Sequence, residues 1–336
     1  MKKIGLFAGA MLFTALIFTG CPKDADTTDD GVEEIKAESV VSEAKEAGIT
    51  FAADVKPVKD KDTFEAEVIP ALSEELEDVV GDLFSDNSFD LPLFNTIRSA
   101  ITVDDLEKSF KDLEKQLEKT PEPDSDGKIN WSIDWEAPTG ELTFGKDAEG
   151  ITANIEDLYV KADVSGSVDM TNYTADISGD AKAKAKASIA ADLTKMGVES
   201  LPYAKAAVNA SASGNSKVYV EALNAETMDI SGSVKASVAY SAAIIFNVDG
   251  YAGVIKADAD ISAKESLSAD SVKKYQELFT GFDESDLTKE FFDALPVDAS
   301  VNVSVYDIDG NKMFSYINAD NLYDAYTQIS NLVDAE

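Results

Sequence analysis

Two tryptophans, one cysteine and no histidine bound the chemistry open to this chain. Without imidazole there is no Ser-His-Asp triad, and the commonest transition-metal ligand is missing. A single thiol, Cys21, cannot build a cysteine-rich zinc site. Catalysis would have to rest on carboxylates, lysine or tyrosine. The chain carries 64 acidic residues, so no pair stands out as a glycosidase dyad. There is no glycine-rich phosphate loop. Trp131 and Trp135 share one face of a short alternating stretch with Ile133. Beside two acids, such a face would make a sugar-stacking platform. Packing in the core or at its rim is the better reading, because large aromatic rings mostly bury. The composition points to no catalytic residue, no cofactor and no metal.

The surroundings of Cys21 set an address. Lys2 and Lys3 precede an uncharged apolar run from Ile4 to Phe18, and Thr19-Gly20 supply small residues before the cysteine. The run falls short of the ~20 residues that span a bilayer, so residues 1–20 read as a secretory leader. Ile17-Phe18-Thr19-Gly20-Cys21 resembles the lipobox of bacterial lipoproteins, with Phe18 where that class prefers leucine. The resemblance covers the leader alone. It implies cleavage before Cys21, a diacylglyceryl group on its sulfur, and a lipid-anchored place in the bacterial cell envelope, at the outer membrane ahead of the inner. Two or more acyl chains make such an anchor stable. Residues 21–31 then read as a lipidated flexible tether, polar and without apolar periodicity. Pro22 gives no retention signal, so the periplasmic and surface faces stay equally open. Aspartates alternate up to Gly31 as in a calcium loop, but Ala37 stands where the bidentate glutamate belongs. The stretch Glu122 to Gly127 fails in the same way at Ile133.

Acidic residues outnumber basic ones 64 to 29, for a formal net charge of −35. Loss of Lys2 and Lys3 with the leader would make it more negative. Such a surface repels nucleic acid and anionic headgroups. The partners to expect are the membrane, through the N-terminal lipid, and either a hydrophobic small molecule or another envelope protein. Hydrophobic residues make up 44% of the chain, enough to bury a core.

Residues 32–120 read as a helical region. Val32 to Ala47 is a charged helix ended by Gly48. Thr63 to Phe84 places Val68, Leu72, Leu76, Val79, Val80 and Leu83 on one face. Phe89 to Ala100 is apolar and partly helical. Thr102 with Asp105 makes a capping box for a helix bearing Leu106, Phe110, Leu113 and Leu117. From Lys128 to about 265 the period becomes two, with several runs near 20 residues. Asp249-Gly250 is a two-residue hairpin signal that sets Ile244 opposite Ile255, Ala242 opposite Ala257 and Val238 opposite Ile261. Ala181 to Lys195 is rich in helix formers, yet its strict alternation favours a strand. A two-residue loop at Thr171-Asn172 would set Lys161 against Lys182 and Asp163 against Asp180. Like charges directly opposite are unfavourable, so a two-residue slide or a pair of bulges is expected. Residues 266–336 add helical stripes (Val272, Tyr275, Phe279; Leu287, Phe291, Leu295), a hairpin turned by Asp309-Gly310, and a closing helix from Leu322 to Val333.

The expected fold is α+β: a long-stranded antiparallel β-meander, a curved sheet or unclosed barrel, packed against N-terminal and C-terminal helices. Its inner face is lined by alanine, valine and glycine, which would leave room for an acyl chain. At the Asp249-Gly250 tip both faces are apolar: Ile244, Phe246 and Ile255 inside, Ala243, Ile245 and Val254 outside. Such a tip must be covered, by a helix or else by a ligand, partner or membrane. Ile244, Ile245, Phe246, Val254, Ile255, Trp131 and Trp135 are therefore the candidate contact residues, and Cys21 the lipidation site. The reading is a lipid-anchored, non-enzymatic envelope protein with a structural or binding role. A carrier of hydrophobic ligand or lipid and, further off, a carboxylate-based glycan hydrolase are the alternatives.

Overall fold

The computed structural model describes residues 34–52, 54–72, 103–118, 123–143, 150–169, 171–221, 228–279 and 287–334. It is mostly a large antiparallel sheet of nine strands that does not close, with a few helices. The strands are β1 (Lys128–Glu136), β2 (Gly140–Thr143), β3 (Ile151–Asp169), β4 (Thr174–Asp192), β5 (Tyr203–Val220), β6 (Met228–Val248), β7 (Tyr251–Ser268), β8 (Val297–Tyr306) and β9 (Lys312–Ala319). From β3 to β9 each strand pairs with the next in sequence, and β1 and β2 share the free edge of β3.

Alternation accounts for the strand lengths. β3 to β7 run 18 to 21 residues, or about 60–70 Å at ~3.4 Å per residue. Residues 181–192 are strand despite their alanines and lysines. Gly197, at φ 85°, ends a four-residue 3-10 turn, Leu193–Met196, and not an α-helix. Asp249 and Gly250 have φ of 49° and 80°, both positive as a type I′ turn requires. The register follows: Ile244 faces Ile255, Ala242 faces Ala257, and Val238 faces Ile261. Asp309-Gly310 turns β8 into β9, with the Asp307 carboxylate accepting from the N–H groups of Asp309 and Asn311 at 3.0 and 2.8 Å.

The slide expected between β3 and β4 does not occur. Lys161 faces Lys182 and Asp163 faces Asp180 along an unbroken stretch. The irregularity lies further on, as a single break in register between Ile155 and Asp157. Neighbouring acids explain why the charges are tolerated. Lys161 is 2.9 Å from Asp134 on β1 and 4.0 Å from Glu136. Lys184 meets Asp157 at 2.9 Å, and Lys186 meets Glu156 at 2.6 Å, beside the break. With Lys161 neutralised from the side, the apolar inner face sets the register.

The helices are α1 (Ala37–Glu46), α2 (residues 61–72), α3 (Val103–Leu117), α4 (Ala269–Phe279), α5 (Lys289–Ala294) and α6 (Leu322–Asp334). α2 is π-helical over Phe64–Val68 and is capped by Asp60, whose carboxylate accepts from the Thr63 N–H at 2.8 Å. The Thr288 hydroxyl accepts from the Phe291 N–H at the start of α5. The leader, Cys21 and the tether lie outside the described residues. So do Leu76, Val79, Val80 and Leu83, the 89–100 stretch, and Thr102 of the capping box.

Three apolar clusters contain both helix and strand residues. Phe64, Val68 and Leu72 of α2 join Phe246, Val248 and Val305 on the inner face. Val40, Val41 and Ala44 of α1 join Tyr203, Ala243, Ile245 and Val254 on the outer face. Ile133, Trp135 and Ala162 meet Leu106 and Leu113 of α3. Between α1 and α2 the chain passes around the Asp249-Gly250 turn. There the Lys56 N–H donates to the Gly250 carbonyl at 2.9 Å, and the Ala252 N–H donates to the Lys56 carbonyl at 3.2 Å.

Candidate functional site

The apolar hairpin tip is the first place to look for a site, and the chain itself fills it. Ile245, Phe246 and Val254 are fully buried. Ile244 and Ile255 pack partly buried against the inner cluster. The Phe246 ring lies 6.1 Å from that of Phe64. The inner residues of this strand end share an apolar cluster with residues of α2 and the outer ones with residues of α1, which removes both apolar faces from water.

Trp131 and Trp135 do not form an open platform. Trp135 is 4% exposed, and its indole N–H donates to the Ser109 carbonyl of α3 at 2.7 Å. Phe110 stacks beside it with ring centroids 5.5 Å apart. Trp131 is half-buried in the same cluster. Its buried indole nitrogen has no hydrogen-bond partner among the described residues.

The most elaborate polar site lies on the outer face, where β6 and β7 meet the residues just ahead of α1. Lys256 is 3% exposed. Its ammonium donates to Glu34 at 2.5 Å and to Asp258 at 2.7 Å. The other Asp258 oxygen accepts from the Ser241 hydroxyl at 2.7 Å. Ser241 in turn accepts from the Ile35 N–H at 3.1 Å. The network closes on itself, gripping Glu34 by its side chain and Ile35 by its backbone. A second contact lies along α1: Glu43 accepts from Lys205 at 2.6 Å and from the Tyr203 hydroxyl at 3.2 Å.

The electrostatics define what this site can do. Burial alone would push the Lys256 pKa down. Hydrogen bonds and charge from Asp258 and Glu34 outweigh it and hold the pKa above the ordinary lysine value. Glu34 is held below the usual glutamate value, chiefly by its hydrogen bond from Lys256. A lysine kept charged cannot serve as a general base, and Ser241, whose hydroxyl donates to the Asp258 carboxylate, is 2% exposed.

Two further surfaces stand apart from this network. A groove of ≈ 550 Å³ on the outer face is lined by Asn209, Ser237, Asp260, Ser262, Asp298 and Asp320, among others. Its acids are spread across neighbouring strands, and no group of three or more candidate metal ligands gathers among the described residues. On the inner face of β4, Ala181, Ala183, Ala185 and Ala187 are only half-buried, and Ile189 is 43% exposed. Near them Tyr240 sits where burial pushes its pKa up to about 12. No described helix is long and apolar enough to cross a membrane. No family model, curated protein or solved structure matches this chain.

Sequence reasoning missed the Lys256 network. A signal for it existed: Lys256 stands on the outer face among Ala243, Ile245 and Val254, the residues that made that face apolar. A lysine in such company is buried with whatever covers them, and it then needs a carboxylate.

Proposed function

We propose that the protein is a lipid-anchored, non-enzymatic component of the bacterial cell envelope with a structural role. In this reading Cys21 carries the lipid, residues 21–31 are the tether, and the N-terminal and C-terminal helices brace the long sheet. The observation that supports it best is the burial of the hairpin tip: Ile245, Phe246 and Val254, the residues most able to hold a ligand or partner, are used for folding. The Lys256 site likewise holds the N-terminal segment to β6 and β7. The test is incorporation of labelled palmitate by the expressed protein. Wild type should take up label and sediment with membranes, whereas Cys21→Ser should do neither. Equal sedimentation of the two would overturn the anchor.

One observation favours a second reading, a carrier of hydrophobic ligand. The inner face of β4 is apolar, small-sided and half-open around Ile189. Native mass spectrometry separates the two readings, since a carrier should retain lipid and a structural component should give a clean mass. The glycan-hydrolase alternative would have to stack sugar on Trp131 alone, which is half-buried, since Trp135 is 4% exposed.

A further inference from the structure

We propose that the network around Lys256 is a mechanical joint, through which a pull on the N-terminal tether passes into the centre of the sheet and not into α1. This rests on the lipid-anchor reading, which supplies the pull. The joint sits at the right place in the chain. Glu34 and Ile35 directly precede α1, so tension from the N-terminal side reaches them first. α1 shares one apolar cluster with Ala243, Ile245 and Val254 through Val40, Val41 and Ala44, and its Glu43 accepts from Lys205 and Tyr203; pulled from its N-terminal end with nothing held ahead of it, it would give way from the first turn. The grip ahead of α1 prevents this, because the Lys256–Glu34 pair and the Ile35–Ser241 bond must break before the first turn is loaded.

Its other end is anchored in β6 and β7, which are paired with each other from Ser231–Ser268 to Val248–Tyr251 and flanked by β5 and β8. Load entering there is shared by an unbroken ladder as long as any other in the sheet. The chemistry suits a joint rather than a stability device. The Lys256 ammonium is buried while Glu34 reaches it from the solvent side, and a buried charge is costly to leave without its partners. Two carboxylates on one ammonium, one of them also bonded to Ser241, hold the segment ahead of α1, as Glu43 holds the helix itself to Lys205 and Tyr203 further along.

The experiment pulls the chain expressed from Cys21 onward without the leader, so that Cys21, its only native cysteine, stays unlipidated and keeps a free thiol; the second thiol is introduced by Lys217→Cys on the exposed outer face of β5. The readout is the rate of the first lengthening step at constant force. In Lys256→Met that rate should rise at least about tenfold. Glu34→Gln, which alters only a largely solvent-facing side chain, should raise it in the same direction and decides the matter if Lys256→Met fails to fold. Rates unchanged in Glu34→Gln would overturn the joint, whatever the fate of Lys256→Met. Failure here is distinct from failure of the anchor. Absence of lipid on Cys21 removes the load and leaves the grip, while an unchanged rate removes the grip and leaves the lipid.

Discussion

At Lys256 an ammonium is shut away from water by apolar neighbours and kept charged by two carboxylates. Such a group is stable only while both partners remain. Lys256→Met would leave Asp258 relying on Ser241 and release Glu34 to solvent. We expect a loss of about 2 kcal/mol, read by urea unfolding, with the earliest hydrogen exchange in residues 34–47. The pH dependence has a definite sign. Glu34 has a folded pKa below its ordinary value of 4.5, so its contribution is complete above that value and disappears as pH falls through the lowered folded value. Hydrogen exchange in residues 34–47 should therefore speed up on acidification below about pH 4.5 in wild type, relative to β6. In Glu34→Gln that acid step should be absent, and an identical acid response in the two proteins would contradict the assignment.

Among the elements, the β6–β7 hairpin shows best how sequence and structure correspond. Its register could be read directly, since Asp249-Gly250 fixes the turn and Ile244, Val238 and Ala242 each find an apolar partner. Gly253 has a more particular task. It lies opposite Phe246, and a Cβ there would come within 2.7 Å of the Phe246 ring and 2.5 Å of the Tyr306 carbonyl oxygen. Gly253→Ala should cost about 1–3 kcal/mol, measured as a lower midpoint in thermal unfolding. The β3–β4 register was harder to read. Pairwise repulsion between Lys161 and Lys182 argued for a slide, but the relief comes from Asp134 on β1, a strand separated by a loop and adjacent only in three dimensions. The same limit hid the covers of the hairpin tip. The need for a cover was legible in Ile245 and Phe246. That α1 would take one face and α2 the other was not, because the path past Lys56 depends on how the chain turns around Gly250.

At the largest scale the described residues form a long open sheet whose apolar tip shares its clusters with residues 35–72. Charge is unevenly spread: lysines on the strands meet acids on neighbouring strands, as at Lys161, Lys184 and Lys186, while the chain as a whole carries −35. An excess of that size keeps copies apart at low salt and is screened as salt rises. Any self-association should therefore strengthen between 0.01 and 0.5 M salt by about an order of magnitude, as sedimentation would report. The strongest single check is the mass of the protein extracted from membranes and sprayed under native conditions. The account predicts a chain that begins at Cys21, carries a covalent diacylglyceryl group there, and holds no additional lipid. A mass matching an unmodified Cys21 would contradict the anchor, and a bound lipid beyond the covalent one would hand the function to the carrier reading.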